Sequence, residues 1–279
     1  MIPPVVDASF LAEHPEAVLA DVRWYLDGRD GRAAFEAGHV PGAIWVDLED
    51  ALSAHDLPAT EGRHPFPDPE AFAASMGAMG IGDHSVVIGY DDTGGVTAGR
   101  LVTMLRMLGR DAAMLDGGLT AWAADGHEVR SGPAPVLPGV EFTPTPWPVE
   151  RFASADEAAA VAARGGAVLD ARAAERFRGD LAVVDPRPGH LPGARNAPWT
   201  SVFGPDARLK SPAVLRAHFA ALGAERGGVV TYCGSGVSAC MNILAMEHAG
   251  LAPARLYVAS WSGWSADPGR PVELGDGRR

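Results

Sequence analysis

The sequence predicts an α/β protein of two tandem domains, each a small parallel sheet covered by helices on both faces. Three observations carry this: a length of 279 residues, an internal repeat, and short apolar runs alternating with helix-patterned segments. One hydrophobic core seldom serves such a chain, because beyond roughly 250–300 residues cores stop growing and chains split into domains.

The repeat is legible at four landmarks. AVLADVR (17–23) precedes GHVPGA (38–43), and later AVLDAR (167–172) precedes GHLPGA (189–194). VVIGYD (86–91) pairs with VVTYC (229–233), and LDGGLTAW (115–122) with YVASWSGW (257–264). The offset is 149 residues from Asp21 to Asp170, 151 from His39 to His190, and 142 from both Tyr90 to Tyr232 and Trp122 to Trp264. Matched landmarks in one order mean duplicated domains, not a short-period solenoid. Between the copies, residues 131–150 hold six prolines in twenty residues. That segment cannot sustain a helix and is expected to run extended as the connector. The expected domains are therefore residues 1–130 and 151–279.

Within each copy, runs such as AVLD and GGVVTY read as buried strands. SPAVLRAHFAALG (211–223) and VSACMNILAMEHAG (237–250) carry helical spacing. Such alternation implies a mostly parallel sheet, in which ligands sit where strand ends meet helix N-termini.

Composition narrows the classes. The chain is 47% hydrophobic and 21% charged, as globular proteins are. It holds no apolar run of the roughly 18 residues that a membrane span needs. The N-terminal MIPPVVDASFLAEHPEAV lacks the basic start, apolar run and cleavage site of a signal peptide, so a cytoplasmic location is expected. A net charge of −12 argues against a nucleic-acid partner, since phosphate backbones recruit basic surfaces. An anionic substrate would need its own locally positive region. The two cysteines, Cys233 and Cys240, exclude a disulfide framework, and their spacing matches no common zinc pattern. On one helix they would lie roughly 10 Å apart along the axis. A disulfide needs a Cα separation of about 4.4–6.8 Å, so no bridge is expected.

The most informative segment is VVTYCGSGVSAC (229–240). An apolar strand ends at Tyr232, and Cys233-Gly-Ser-Gly then turns into a helix beginning near Val237. Gly234 and Gly236 permit backbone conformations that point successive N–H groups inward. A cysteine there faces amide donors and a helix N-terminus, both favouring a thiolate, and the same cradle would hold an anion brought to that sulfur. Gly234, Gly236, Val237 and Ser238 are the expected contacts to a bound donor. The alternative is a buried cysteine before a glycine turn, as isolated cysteines usually are.

This loop, the two D-x-R and GH-x-PGA segments, and SW-x-x-W (260–264) together resemble the rhodanese and mercaptopyruvate sulfurtransferase family, over nearly the whole chain. The resemblance implies a five-stranded parallel sheet in each domain and catalysis in the second alone. Asp91 stands in the first copy where the second has Cys233, in a loop one residue longer, and a carboxylate in an amide cradle would compete with anions. The resemblance further implies a relay of Ser235, His64 (GRHPFP) and Glu49 (VDLED). Arg176 (ERFRG) and Arg187 (DPRPGH) would hold a donor carboxylate, which guanidinium groups fit bidentately. For each arginine the alternative is an ordinary surface residue, and for His64 a loop histidine. The Cys-Gly-Ser-Gly loop resembles that of members preferring 3-mercaptopyruvate, while basic loops suit thiosulfate. Cyanide, a small thiol or a thioredoxin-like protein would accept the sulfur, with no metal or organic cofactor. His39 and His190 recur in both copies and read as structural; Cys240 reads as core. The family commonly carries Asp-Gly-Ser-Trp where this chain reads Val258-Ala259-Ser260-Trp261. A cysteine-dependent phosphatase would need C-x5-R, and position 239 is alanine. A non-catalytic binding module would lack the cysteine in both copies.

Overall fold

The computed structural model describes residues 1–181 and 184–277. Among these residues the chain forms two compact units. The first comprises Met1–Ala54, Pro67–Trp147 and Phe203–Leu209; the second comprises His55–Phe66, Pro148–Val202 and the chain from Lys210 onward.

In the first unit, β1 (Val5–Val6), β2 (Val18–Asp21), β3 (Ile44–Trp45), β4 (Val87–Tyr90) and β5 (Ala112–Leu115) form a parallel sheet in the order β1-β5-β4-β2-β3. The second unit pairs β6 (Val168–Asp170), β7 (Arg195–Asn196), β8 (Val230–Tyr232) and β9 (Arg255–Leu256) in the order β7-β6-β8-β9, again parallel. The expected fifth strand is reduced to one bridge, Phe152 to Leu256. Pro148 and the helical turn Val149–Arg151 take up the residues that would lengthen it, and a proline donates no ladder hydrogen bond.

The repeated motifs hold the same scaffold twice. Asp21 lies opposite Tyr90, and Asp170 opposite Tyr232. Arg23 and Arg172 each clasp the aspartate two residues earlier and also donate, at 2.7 and 2.8 Å, to the carbonyls of Gly38 and Gly189. Each pair is buried, so removing one partner would cost about 3–5 kcal/mol. His39 stacks on Phe35 and bonds its carbonyl through Nδ1, and His190 does the same with Phe177. Both histidines are packing elements of the strand-entry turn.

The linear domain boundaries give way in two places. The proline-rich segment forms neither helix nor strand through Trp147, but it belongs to the first unit as a docked strap. Val140 N donates to Gly77 O, Thr143 N donates to Asp83, and the buried Phe142 meets Phe72 edge-on at 5.8 Å. Conversely, residues 55–66 leave the N-terminal half and pack into the second unit. Gly62 permits this approach: a Cβ there would fall 2.5 Å from the Ala259 carbonyl oxygen. Arg63 N donates to Ser262 Oγ at 3.1 Å.

Candidate active site

The site grows from the carboxyl end of β8. Tyr232 closes the strand, and the loop from Cys233 feeds the helix Ala239–His248, with Ser238 at its first flanking position and no side-chain cap. Gly236 takes φ +77, the left-handed region where other residues are strained. Cys233 is 2% exposed. Its backbone is tied to the helix Ser260–Ala266: Cys233 N donates to Ser260 Oγ at 3.1 Å, and Trp261 N and Ser262 N donate to the carbonyls of Cys233 and Gly234 at 2.9 Å each. Ser260 adopts φ +54, as Gly118 does at the corresponding place in the first unit. A non-glycine residue there costs about 1–2 kcal/mol, and here its hydroxyl holds the nucleophile's amide. Val258-Ala259 therefore leaves the loop fastened without an aspartate.

Ser235 and His64 come together as the sequence suggested. Ser235 Oγ lies 2.8 Å from His64 Nδ1, both residues being buried. The segment that delivers His64 also delivers Arg63. A Cβ placed on Gly234 would stand 2.9 Å from Arg176 Nη2 and 3.0 Å from Arg63 Nη2. Between the guanidinium groups sits Asp185, whose carboxylate accepts from Arg63 Nη1 at 2.6 Å and Arg176 Nη2 at 2.5 Å. Burial alone would raise the Asp185 carboxyl; Arg176 and Arg63 outweigh it and hold the carboxyl below its usual range.

Glu49 lies in the first unit on the helix Leu48–Leu52, where Oε1 accepts from Trp24 Nε1 at 2.9 Å. Arg187 is a correction: its guanidinium donates to the carbonyls of Trp264, Ser265, Asp267 and Arg270. It thereby gives a charged donor to carbonyls at the C-terminus of the helix Ser260–Ala266 and beyond, where intrahelical partners run out. Arg187→Ala should lower stability by ~1.5–3 kcal/mol, the range for hydrogen bonds to a charged group, with little change in donor KM. Chemical denaturation beside steady-state kinetics checks this; an unchanged midpoint with a raised KM would return Arg187 to the donor.

Cys240 is buried in the helix, its Sγ 3.3 Å from Gly236 O, and neither cysteine is in a disulfide. In the first unit, Asp91 fills its own cradle. Its carboxylate accepts from the amides of Thr93, Gly95, Thr97 and Ala98 at 2.7–3.1 Å and from the Thr97 hydroxyl at 2.9 Å. A carboxyl group of the chain itself fills that loop. Sequence reasoning missed Arg63, Asp185 and Ser260. Arg63 had one signal, its place beside His64, and Ser260 another, its place at the head of SW-x-x-W (260–264); Asp185 had none.

A buried cysteine at a strand-to-helix turn, duplicated scaffolds and one blocked cradle define a tandem rhodanese architecture. The rhodanese-like domain family matches residues 7–125 and 154–267, and the chain belongs to it. The chain is 42% identical over 267 residues to a Pseudomonas aeruginosa protein named "Probable 3-mercaptopyruvate sulfurtransferase", covering 94% of each chain. It is 40% identical over 268 residues to the "Putative thiosulfate sulfurtransferase SseB" of Mycobacterium tuberculosis, covering 95% of this chain and 93% of that one. Among solved structures, SseA from Escherichia coli, a 3-mercaptopyruvate sulfotransferase, superposes with a TM-score of 0.81 at 32% identity. That match covers 93% of this chain and 99% of SseA.

Proposed function

We propose that this protein is a 3-mercaptopyruvate sulfurtransferase acting through a Cys233 persulfide. The observation that carries the reading is the buried Ser235–His64 hydrogen bond two residues from Cys233. The Cys233 thiolate attacks the donor sulfur, so an S–S bond forms as the C–S bond breaks. The electron pair departs as the enolate of pyruvate, which must gain a proton. A serine–histidine pair serves that demand by general acid–base help. Glu49 is its third member on the resemblance alone. Arg176, beside Gly234, holds the donor carboxylate, while the amides from Gly234 through Ser238 and the helix N-terminus favour the anionic sulfur. A thiophilic acceptor (cyanide, a small thiol or a thioredoxin-like protein) then takes the outer sulfur and restores the thiolate.

Among the described residues no helix is long and apolar enough to cross a membrane. Two unbridged cysteines suit a reducing compartment, and we place the enzyme in the cytoplasm.

Thiosulfate is the second reading, favoured by the relative named for that donor. Thiosulfate leaves as sulfite and needs no proton on departure, so it gains nothing from Ser235 and His64. Steady-state assays with cyanide as acceptor should give the higher kcat/KM for mercaptopyruvate. A higher value for thiosulfate sinks the first reading.

A further inference from the structure

We infer that the second unit holds a binding site for a small molecule carrying an alkylguanidinium group, in the cavity bounded by Glu61, Ala155, Tyr257 and Val258. The site is separate from the catalytic loop and independent of which sulfur donor the enzyme prefers.

The first unit shows what fills the same place. At an offset of 142 residues, Leu115, Asp116 and Asp125 correspond to Tyr257, Val258 and Asp267. Ala8 and Ala155 each open the first α-helix of their copy. In the first unit this depression is plugged by Arg208, which pairs with Asp125 and donates to the Asp116 carbonyl. The Arg208 stem runs along Gly117, where a Cβ would meet its Cγ at 3.4 Å. Asp116 also fastens the plugging segment, accepting from Leu209 N at 2.8 Å. A volume of about 10 Å³ remains, roughly the room of one water.

In the second unit the plug is missing. Val258 stands in place of Asp116, and the passing segment, residues 55–66, presents Thr60 and Glu61 where the other presents an arginine. A cavity of about 390 Å³ is left, within the range of small-molecule sites. Tyr257 lines it, is 5% exposed, and its hydroxyl makes no hydrogen bond among the described residues. Buried hydroxyls ordinarily have a partner. Burial pushes this phenol up to about 12, and the charges of Arg270, Glu61, Asp156 and Asp267 act on it. The hydroxyl is therefore neutral and turned toward the charged rim of the cavity.

Charge selects a cation. Arg270 is committed to Asp156 at 3.0 Å and Asp267 at 3.5 Å, and it lies over the Trp264 ring. Glu61 has no ion-pair partner among the described residues. Three carboxylates against one guanidinium leave a negative excess, which the roughly half charge of the Ala155–Ala163 helix N-terminus does not cancel. A guanidinium meets a carboxylate bidentately, and its flat face suits the Phe152 ring on the cavity wall.

Calorimetric titration of the full chain with butylguanidinium should give saturable binding. Butylammonium should bind roughly fivefold more weakly, since it lacks the planar fork, and butyrate should not bind. Tyr257→Phe and Glu61→Gln should each weaken butylguanidinium roughly five- to tenfold. Tyr257→Phe should keep the parent's melting temperature, because the hydroxyl it removes has no partner to lose, so its lost affinity is not lost folding. Glu61→Arg sets an arginine on the passing segment, as Arg208 is set in the first unit, and should abolish binding. Butyrate binding in place of butylguanidinium, or an affinity for butylguanidinium unchanged in both Tyr257→Phe and Glu61→Arg, overturns the site. A capped Gly-Arg-Gly peptide that binds more tightly than butylguanidinium overturns the small-molecule carrier.

Discussion

Cys233→Ser should abolish sulfur transfer from either donor, by ~10⁴-fold or more, the scale on which enzymes feel the loss of their nucleophile. The expectation rests on how the residue is held. Its amide is bound by Ser260 and its carbonyl by Trp261, so the residue has a fixed place at the start of the loop. A serine hydroxyl there would keep the backbone bonds and lose the polarisable, easily ionised sulfur. Cys240→Ser should keep most activity, because its Sγ donates to the Gly236 carbonyl, a partner a hydroxyl can also reach. Mass spectrometry of donor-treated enzyme should find about 32 Da added, one sulfur atom, on the peptide carrying Cys233. An adduct confined to Cys240 would reverse the assignment.

Ser235→Ala and His64→Ala should each lower mercaptopyruvate kcat/KM by ~10²-fold, the lower range for loss of general acid–base help, and should lower thiosulfate turnover much less. The two side chains share one hydrogen bond at 2.8 Å, so removing either leaves the other without the proton route. The double variant should therefore lose little more than either single one, since groups acting as a unit are not additive. Equal losses for both donors would mean that the pair orders the loop and does not serve the leaving enolate. Melting curves separate that outcome from simple unfolding.

Much of the fold was legible because its signals are local and doubled. D-x-R and GH-x-PGA recur in order, and the structure shows why they travel together: the arginine of one donates to a carbonyl at the start of the other. The blocked first cradle was legible too, since a carboxylate at position 91 sits two to seven residues from the amides it accepts from. The proline-rich segment was expected to sustain no helix, and it forms none through Trp147. Its docking against Asp83 and Phe72 was invisible, because side chains 60 and 70 residues away supply the partners.

By itself the sequence determined the duplicated α/β architecture, the position of Cys233 at a strand-to-helix turn, and the aspartate that stands at the corresponding place in the first copy. The tertiary structure decided which charged residues surround the sulfur. It carried residues 55–66 into the second unit, so that Arg63 and His64 reach a loop some 170 residues further along. It gave Arg187 to the carbonyls of a helix end and put Arg63 beside Gly234. Local patterns report strands, turns and helices, because those form between neighbours in the chain. A guanidinium on a long flexible stem has several acceptors within reach, and only the packed surroundings select among them.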